Sequence, residues 1–445
     1  MSKPPRDGLA WEDGGFELEP RWTREPSVTA IEKVCRGQLN IQDADSCEVS
    51  FYAAGAFNKL YLVQTNGNKL LMRVSLPVDP GDKTRGEVAT LRWLRHRTST
   101  PVPRVFAFDD SNNNEIGFEW ILMELMPGMS AYKRWRGLSM AQKTRLVEKV
   151  AEYQADVISQ CRGSRTIGTL RFDAIKNREE HQEQQEQEDH ATPSRYVSLV
   201  FFWGDNFDYD VPRGPFRSSH DWLSSFLRIV ILDYKKGIQE AEDEDDREYA
   251  QSGVDVSEKL LVLLPKIFPV LQHPPEHTVI WHDDLSLQNI LVDDDGEITA
   301  VLDWECVSTM PSWVATQVPK FLIGAAREEE PERDRYGDAS PGENGSGSNG
   351  SDADDEELDN EGKTELYWIH LMEFEQTQLR KVYAARMQQS HPDWATRVED
   401  SLLKTDFLEA IHRCRGGFHL KRISQWVDAV MEGNFSRLAE TLQQR

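Results

Sequence analysis

Trp281-His282-Asp283-Asp284-Leu285-Ser286-Leu287-Gln288-Asn289, with Asp303-Trp304 following, is the stretch whose reading decides this chain. Thr278–Trp281 is a short apolar run that reads as a strand, and Ile290-Leu291-Val292 reads as a return strand. Residues 293–296, Asp-Asp-Asp-Gly, make a hairpin turn, and residues 298–302 run back. That hairpin puts Asn289 and Asp303 at the open ends of two paired strands, within reach of one ion. Asp284 has the chemistry to take a proton from a hydroxyl, while Asn289 and Asp303 offer oxygen to a hard cation such as magnesium. His282 reads as a packed, hydrogen-bonded scaffold residue. An Asp-rich turn by itself would be an ordinary solvated loop; the hairpin and the later Asp303 set this one apart.

The spacing of His282, Asp284 and Asn289 matches the protein-kinase catalytic loop H-R-D-x-x-x-x-N, which a metal-binding Asp follows. With Asn289-Ile290-Leu291-Val292 and Val301-Leu302-Asp303-Trp304-Glu305, the stretch resembles the aminoglycoside phosphotransferase / choline kinase-like family, most of all its fungal branch. The resemblance implies an α+β, bilobal protein-kinase-like fold, with a small antiparallel-sheet N-lobe and a larger, mainly helical C-lobe. It implies ATP and Mg2+ as cofactors, Asp284 as catalytic base, and Asn289 and Asp303 as metal ligands. The implied partner is a small-molecule hydroxylated acceptor. Asp303-Trp304 stands in place of the protein kinases' Asp-Phe-Gly, and Asp283 in place of the Gly usual in antibiotic kinases.

Upstream features fall in the order such a fold requires. Residues 49–52 and 60–63 read as strands around the small-residue turn 53–56, and Asn66-Gly67 is a hairpin turn before a third strand, 69–74. The string Gly55-Ala56-Phe57-Asn58-Lys59-Leu60-Tyr61 resembles the family's phosphate-covering loop, making Gly55 and Asn58 candidates for cofactor binding; a plain Ala/Gly hairpin would read the same. The third strand carries Arg73 where kinases have lysine, and Glu87 on the next helical segment is its expected partner. Lys59 and Lys69 are the fallback cations. Residues 121–128 resemble the family's hinge, which by that resemblance would offer the Glu124 carbonyl and the Met126 amide to adenine.

The remaining segments frame this centre. Residues 1–27 read as poorly ordered, 28–127 as the N-lobe, and 128–445 as the C-lobe with a disordered acidic insertion at about 328–362. Ser139 to Gln142 is a capping box opening a helix with Leu146, Val150, Tyr153 and Val157 on one face. Residues 167–170 resemble a short turn of the fungal branch, 179–189 read as a polar insertion or exposed helix, and the acidic run 240–248 as a solvated helix end or an amine-binding wall. With 51 basic and 76 acidic residues, the formal charge of −25 opposes nucleic-acid backbones and anionic membranes. The five scattered cysteines, without a C-x-x-C pair, fit a reducing compartment, and no apolar run approaches the length of a membrane span. The expected location is the cytoplasm.

Arg73 in place of lysine also fits a nucleotide-binding pseudokinase or partner-binding module without transfer activity. The intact set Asp284, Asn289 and Asp303 argues for the enzyme. The absence of Asp-Phe-Gly and of a Gly-rich consensus argues against a protein kinase.

Overall fold

Strands with period-two burial build the first sheet. The computed structural model describes residues 5–15, 18–172, 191–270, 275–337 and 362–443. The stretch 179–189 and most of the acidic insertion lie outside the described residues. Five antiparallel strands run in the spatial order Cys47–Ala54, Asn58–Thr65, Asn68–Ser75, Glu119–Glu124, Val105–Asp109. The Asn66-Gly67 turn pairs Thr65 with Asn68, and Gly67 takes the positive φ of 89° that the tight turn needs. On one face Tyr61, Val63, Leu70, Met72 and Val74 are buried with Ile31 and Cys35 of the helix Val28–Gln38. Residues of the opposite parity face the helix Asp82–Arg97: Leu71 packs with Val88, Ile121 and Met123.

The helix Asp82–Arg97 is buried on nearly all sides because a second sheet covers it. A Cβ on Gly86 would lie 2.2 Å from Thr169, so the helix and the strand Gly168–Phe172 meet at contact distance. That strand corrects the expectation of a turn at 167–170. It pairs with Ala191–Pro193 and with Ser308–Pro311, partners too remote in sequence for local pattern to reveal.

Beyond Gly128 the chain is mainly helical. Met140–Gln160, Ser219–Glu240, Glu244–Ile267, Glu365–Ser390, Trp394–Arg415 and Leu420–Met431 bury their apolar faces in one large core with Val279, Ile280, Trp281 and Ile290. The capping box at Ser139 and Gln142 forms as expected. The acidic run ends one helix and starts the next. Asp243 caps Glu244–Ile267, and Glu244, Asp245 and Asp246 occupy the first turn, where the helix dipole favours negative charge. Among the described residues no helix is long and apolar enough to cross a membrane.

Two elements tie the lobes together in a way the sequence reading does not anticipate. Val197, Phe202 and Phe207, on a segment far beyond the hinge, are buried in the core beneath the first sheet. Residues 1–27, expected to be poorly ordered, include the paired strands Leu9–Asp13 and Leu18–Trp22. Their aromatic residues supply the order. Trp11 lies 4.9 Å from Trp203, Trp22 lies 4.9 Å from Phe118, and Arg6 donates to the Phe202 carbonyl at 2.9 Å.

Candidate active site

The strand Thr278–Trp281, buried along its length, delivers the catalytic-loop stretch, and the hairpin Ile290–Val292 with Ile298–Val301 returns it. The Leu302 amide donates to the Asn289 carbonyl at 2.8 Å, extending the ladder by one step. Asp303 comes next, with φ at +59°, a left-handed conformation that Asp tolerates better than most residues. This turn leaves its side chain 37% exposed. His282 is buried, and its ring nitrogen Nε2 donates to the Leu302 carbonyl at 2.9 Å. Burial also lowers its affinity for a proton. Trp304 packs on that ring at 4.8 Å and donates to the Val301 carbonyl. His282 is therefore the strut that fixes the chain entering Asp303.

Asn289 closes the loop from within. Its side-chain nitrogen donates to the Asp284 carbonyl at 2.8 Å and lies 3.5 Å from Asp284 Oδ2. Because a carbonyl only accepts, the amide nitrogen must face the loop and Oδ1 is left to face elsewhere. Asp284 is thus hydrogen-bonded to Asn289, and Asn289 in turn to Leu302, the residue before Asp303.

A buried ionic cluster sits across from them. Arg73 pairs with Glu87, as expected, and also with Glu305, and its guanidinium lies 3.7 Å from Asp303. Lys83, 2% exposed, reaches Glu305 at 2.5 Å and Asn58 Oδ1 at 3.1 Å. Burial alone would raise the Glu305 carboxyl, but Lys83 and Arg73 outweigh it and hold the group at about 2. Asp303 goes the other way: its loss of surrounding water and the nearby Glu305 raise its carboxyl above the usual carboxylate range, against the pull of Arg73. The cluster thus sets Arg73 and Lys83 among Glu87, Glu305 and Asp303, and burial raises the proton affinity of Glu87 and Asp303 while the two cations keep Glu305 ionised.

The other expected positions are less open to a ligand. The Gly55 amide donates to the Asn58 carbonyl at 2.9 Å, closing the hairpin instead of facing outward. Asn58 accepts from Ser75 and Lys83 and donates to Glu305, so its side chain braces the cluster. Lys59 pairs with Glu25 and lies over Trp22, while Lys69 is exposed at a strand end; neither joins the cluster. At the hinge the Glu124 amide donates to the Arg104 carbonyl at 2.9 Å, and Met126 follows on the connection to the C-lobe. That connection is clamped on the hairpin Ile290–Val292 with Ile298–Val301. Thr299 donates to the Pro127 carbonyl at 2.6 Å, and a Cβ on Gly128, whose φ is 108°, would lie 2.7 Å from the Val292 carbonyl oxygen.

Lys83, Glu305 and Lys320 escape the sequence reading. Lys320 forms an ion pair with Asp284 Oδ1. Its turn is bolted in place, since the Phe321 amide donates to the Leu285 carbonyl at 3.1 Å and Gln376 donates to the Phe321 carbonyl at 2.9 Å. Glu305 lay in the quoted string beside Trp304. Lys83 and Lys320 carried no local signal.

The chain is similar to several known proteins. The model of a family described as "Phosphotransferase enzyme family" matches residues 48–314. A subtelomeric hrmA-associated cluster protein of Aspergillus fumigatus is 26% identical over 322 residues, covering 62% of this chain and 61% of the relative. The chain therefore spans about three fifths of that relative's length. The altered inheritance of mitochondria protein 9 of Candida tropicalis is 29% identical over 116 residues, covering 24% of this chain and 19% of that one. Among solved structures, the aminoglycoside phosphotransferase APH(4)-Ia aligns over 94% of this chain and 96% of its own, at 14% identity and a TM-score of 0.42.

Proposed function

This chain belongs to the phosphotransferase enzyme family, and from that premise we propose that it transfers the γ-phosphoryl group of ATP to a hydroxyl of a small-molecule acceptor. The observation that carries the reading is the Asn289 amide bonded to the Asp284 carbonyl, with Asp303 reached through the Leu302 amide. It leaves one amide oxygen and one carboxylate for a cation and a second carboxylate for a proton.

The donors suit magnesium, a hard ion that takes oxygen ligands and shares them with substrate phosphates. Phosphate oxygens of the nucleotide would complete its coordination. Asn289 Oδ1 and the Asp303 carboxylate would hold the ion, which when bound neutralises charge on the phosphates. Arg73, steadied by Glu87, would face the nucleotide phosphates, and the strand end at Glu124 and Met126 would meet the base. Asp284 would orient the acceptor hydroxyl and take its proton as the oxygen bonds to phosphorus. Lys320 would hold the Asp284 carboxylate from the side opposite Asn289.

One observation favours a second reading, a nucleotide-binding module without turnover: Glu305 engages both Arg73 and Lys83, in competition with phosphate. The test is a screen of purified protein with γ-labelled ATP against pooled hydroxylated metabolites, with Asp284→Asn as the blank. Label appearing in an acceptor above that blank supports the enzyme; nucleotide binding with no label transferred or hydrolysed supports the second reading.

A further inference from the structure

A cavity of about 420 Å³ lies beside the catalytic loop, within the size range of small-molecule sites. Its walls are fastened to the residues that flank Asp284. Tyr132 lines it, and the Tyr132 amide donates to the Leu287 carbonyl at 3.1 Å. Trp135 lines it and meets the ring of Phe321 at 6.3 Å, while the Phe321 amide donates to the Leu285 carbonyl. Gly324, also in the wall, follows Lys320 closely enough that at most about 14 Å of extended chain separates them.

The lining has a definite chemistry. Tyr132, Trp135, Trp368, Ile369 and Met372 supply rings, an alkyl chain and a thioether. The acids are mostly spent. Glu375 is bonded to Lys143 at 2.6 Å and to the Trp135 indole at 2.8 Å, and Glu373 pairs with Arg327 at 3.0 Å. Glu365 sits on the exposed first turn of its helix. Lys320, four residues before the wall residue Gly324, is paired with Asp284. A polycation entering here would shed water from its ammonium groups, meet Glu373 and Glu375 already paired, and find Arg136 of its own sign in the wall.

We propose that this cavity holds the acceptor, and that the acceptor is a ring-bearing alcohol, neutral or anionic, not a polyamine. The proposal rests on the phosphotransfer reading above. Its hydroxyl oxygen bonds to the γ-phosphorus as the bond from that phosphorus to the β-phosphate oxygen breaks. The hydroxyl proton goes to Asp284, and the nucleoside diphosphate leaves with the electron pair.

Calorimetric titration of the full chain with tyrosol, 3-(4-hydroxyphenyl)propanoate and menthol, beside kanamycin as the polycation, tests this. Saturable binding of at least one ring alcohol is expected, weakened about tenfold in Trp368→Ala, with no kanamycin binding. Ile369→Asp at the exposed rim repeats the test should the tryptophan variant fold poorly. Kanamycin bound while the ring alcohols are silent, no ring alcohol bound at all, or binding indifferent to both substitutions overturns the assignment. Magnesium-dependent ATP hydrolysis is followed in the same samples without acceptor. Hydrolysis by the wild type and not by Asp284→Asn, alongside any of those contrary results, removes the acceptor class and leaves phosphotransfer standing. Ring-alcohol binding with neither hydrolysis nor transfer of γ-label to the bound alcohol removes phosphotransfer and leaves the cavity's ligand class.

Discussion

Asn289 donates its side-chain amide to the Asp284 backbone carbonyl at 2.8 Å. This bond braces the loop that carries Asp284 and, by using the nitrogen, leaves the amide oxygen free for the cation that the proposal assigns to Asn289 and Asp303. The proposed chemistry depends on that orientation, because magnesium takes oxygen and not amide nitrogen.

Asp303→Ala is expected to remove the magnesium-dependent part of nucleotide binding. Calorimetry with and without chelator would show one weak affinity in both conditions. Full magnesium-dependent affinity in the variant would take Asp303 out of the site.

Lys320→Met is expected to lower kcat for acceptor-independent ATP hydrolysis by about three- to tenfold and leave KM for ATP unchanged, while Lys320→Arg restores most of the rate. The modest size follows from exposure, since Lys320 is 57% and Asp284 48% accessible. A change confined to KM would show that the lysine serves the nucleotide and not the base.

Glu119, 2% exposed, has its carboxyl pushed up to about 7 by burial, although it accepts the Gly81 amide at 2.7 Å. Its folded-state value lies above the unfolded one, so the folded chain holds an extra proton between about pH 4.5 and pH 7. The stability this contributes is complete below that window and lost as pH rises through it, by about 3 kcal/mol in all. Denaturant unfolding at pH 5 and pH 8 should show the wild type losing more stability across that interval than Glu119→Gln. Parallel losses would assign Glu119 an ordinary proton affinity.

Phe202→Ala is expected to cost about 3–5 kcal/mol, because the ring is fully buried beneath the first sheet and meets Phe57 at 5.5 Å. Hydrogen exchange should quicken in the strands Asn58–Thr65 and Asn68–Ser75. Loss of protection only in the C-lobe helices would mean that the segment does not support the N-lobe.

What could be read in advance was whatever short-range pattern encodes. The strand, loop and hairpin from Thr278 to Asp303 were legible because turn chemistry and alternation act within a few residues. The Arg73–Glu87 pair was legible because fold order predicted it. Gly55 and Asn58 show the limit, since the string fits both a phosphate loop and a plain hairpin, and only the bonds to Asn58, Ser75 and Lys83 show how those atoms are used. Lys320 reaches Asp284 across 36 residues, and Phe202 enters the N-lobe core from beyond the hinge. Long-range packing of this kind leaves no periodic trace. The hairpin Leu9–Asp13 with Leu18–Trp22 was missed because its aromatics are isolated in sequence and find Trp203 and Phe118 only in space.

The most direct measurement pairs nucleotide titration with turnover in Asp284→Asn. The account predicts ATP affinity in magnesium within about twofold of the wild type, and turnover lower by about 10²- to 10⁴-fold, the range for loss of a general base. A variant that still turns over ATP at the wild-type rate would contradict it.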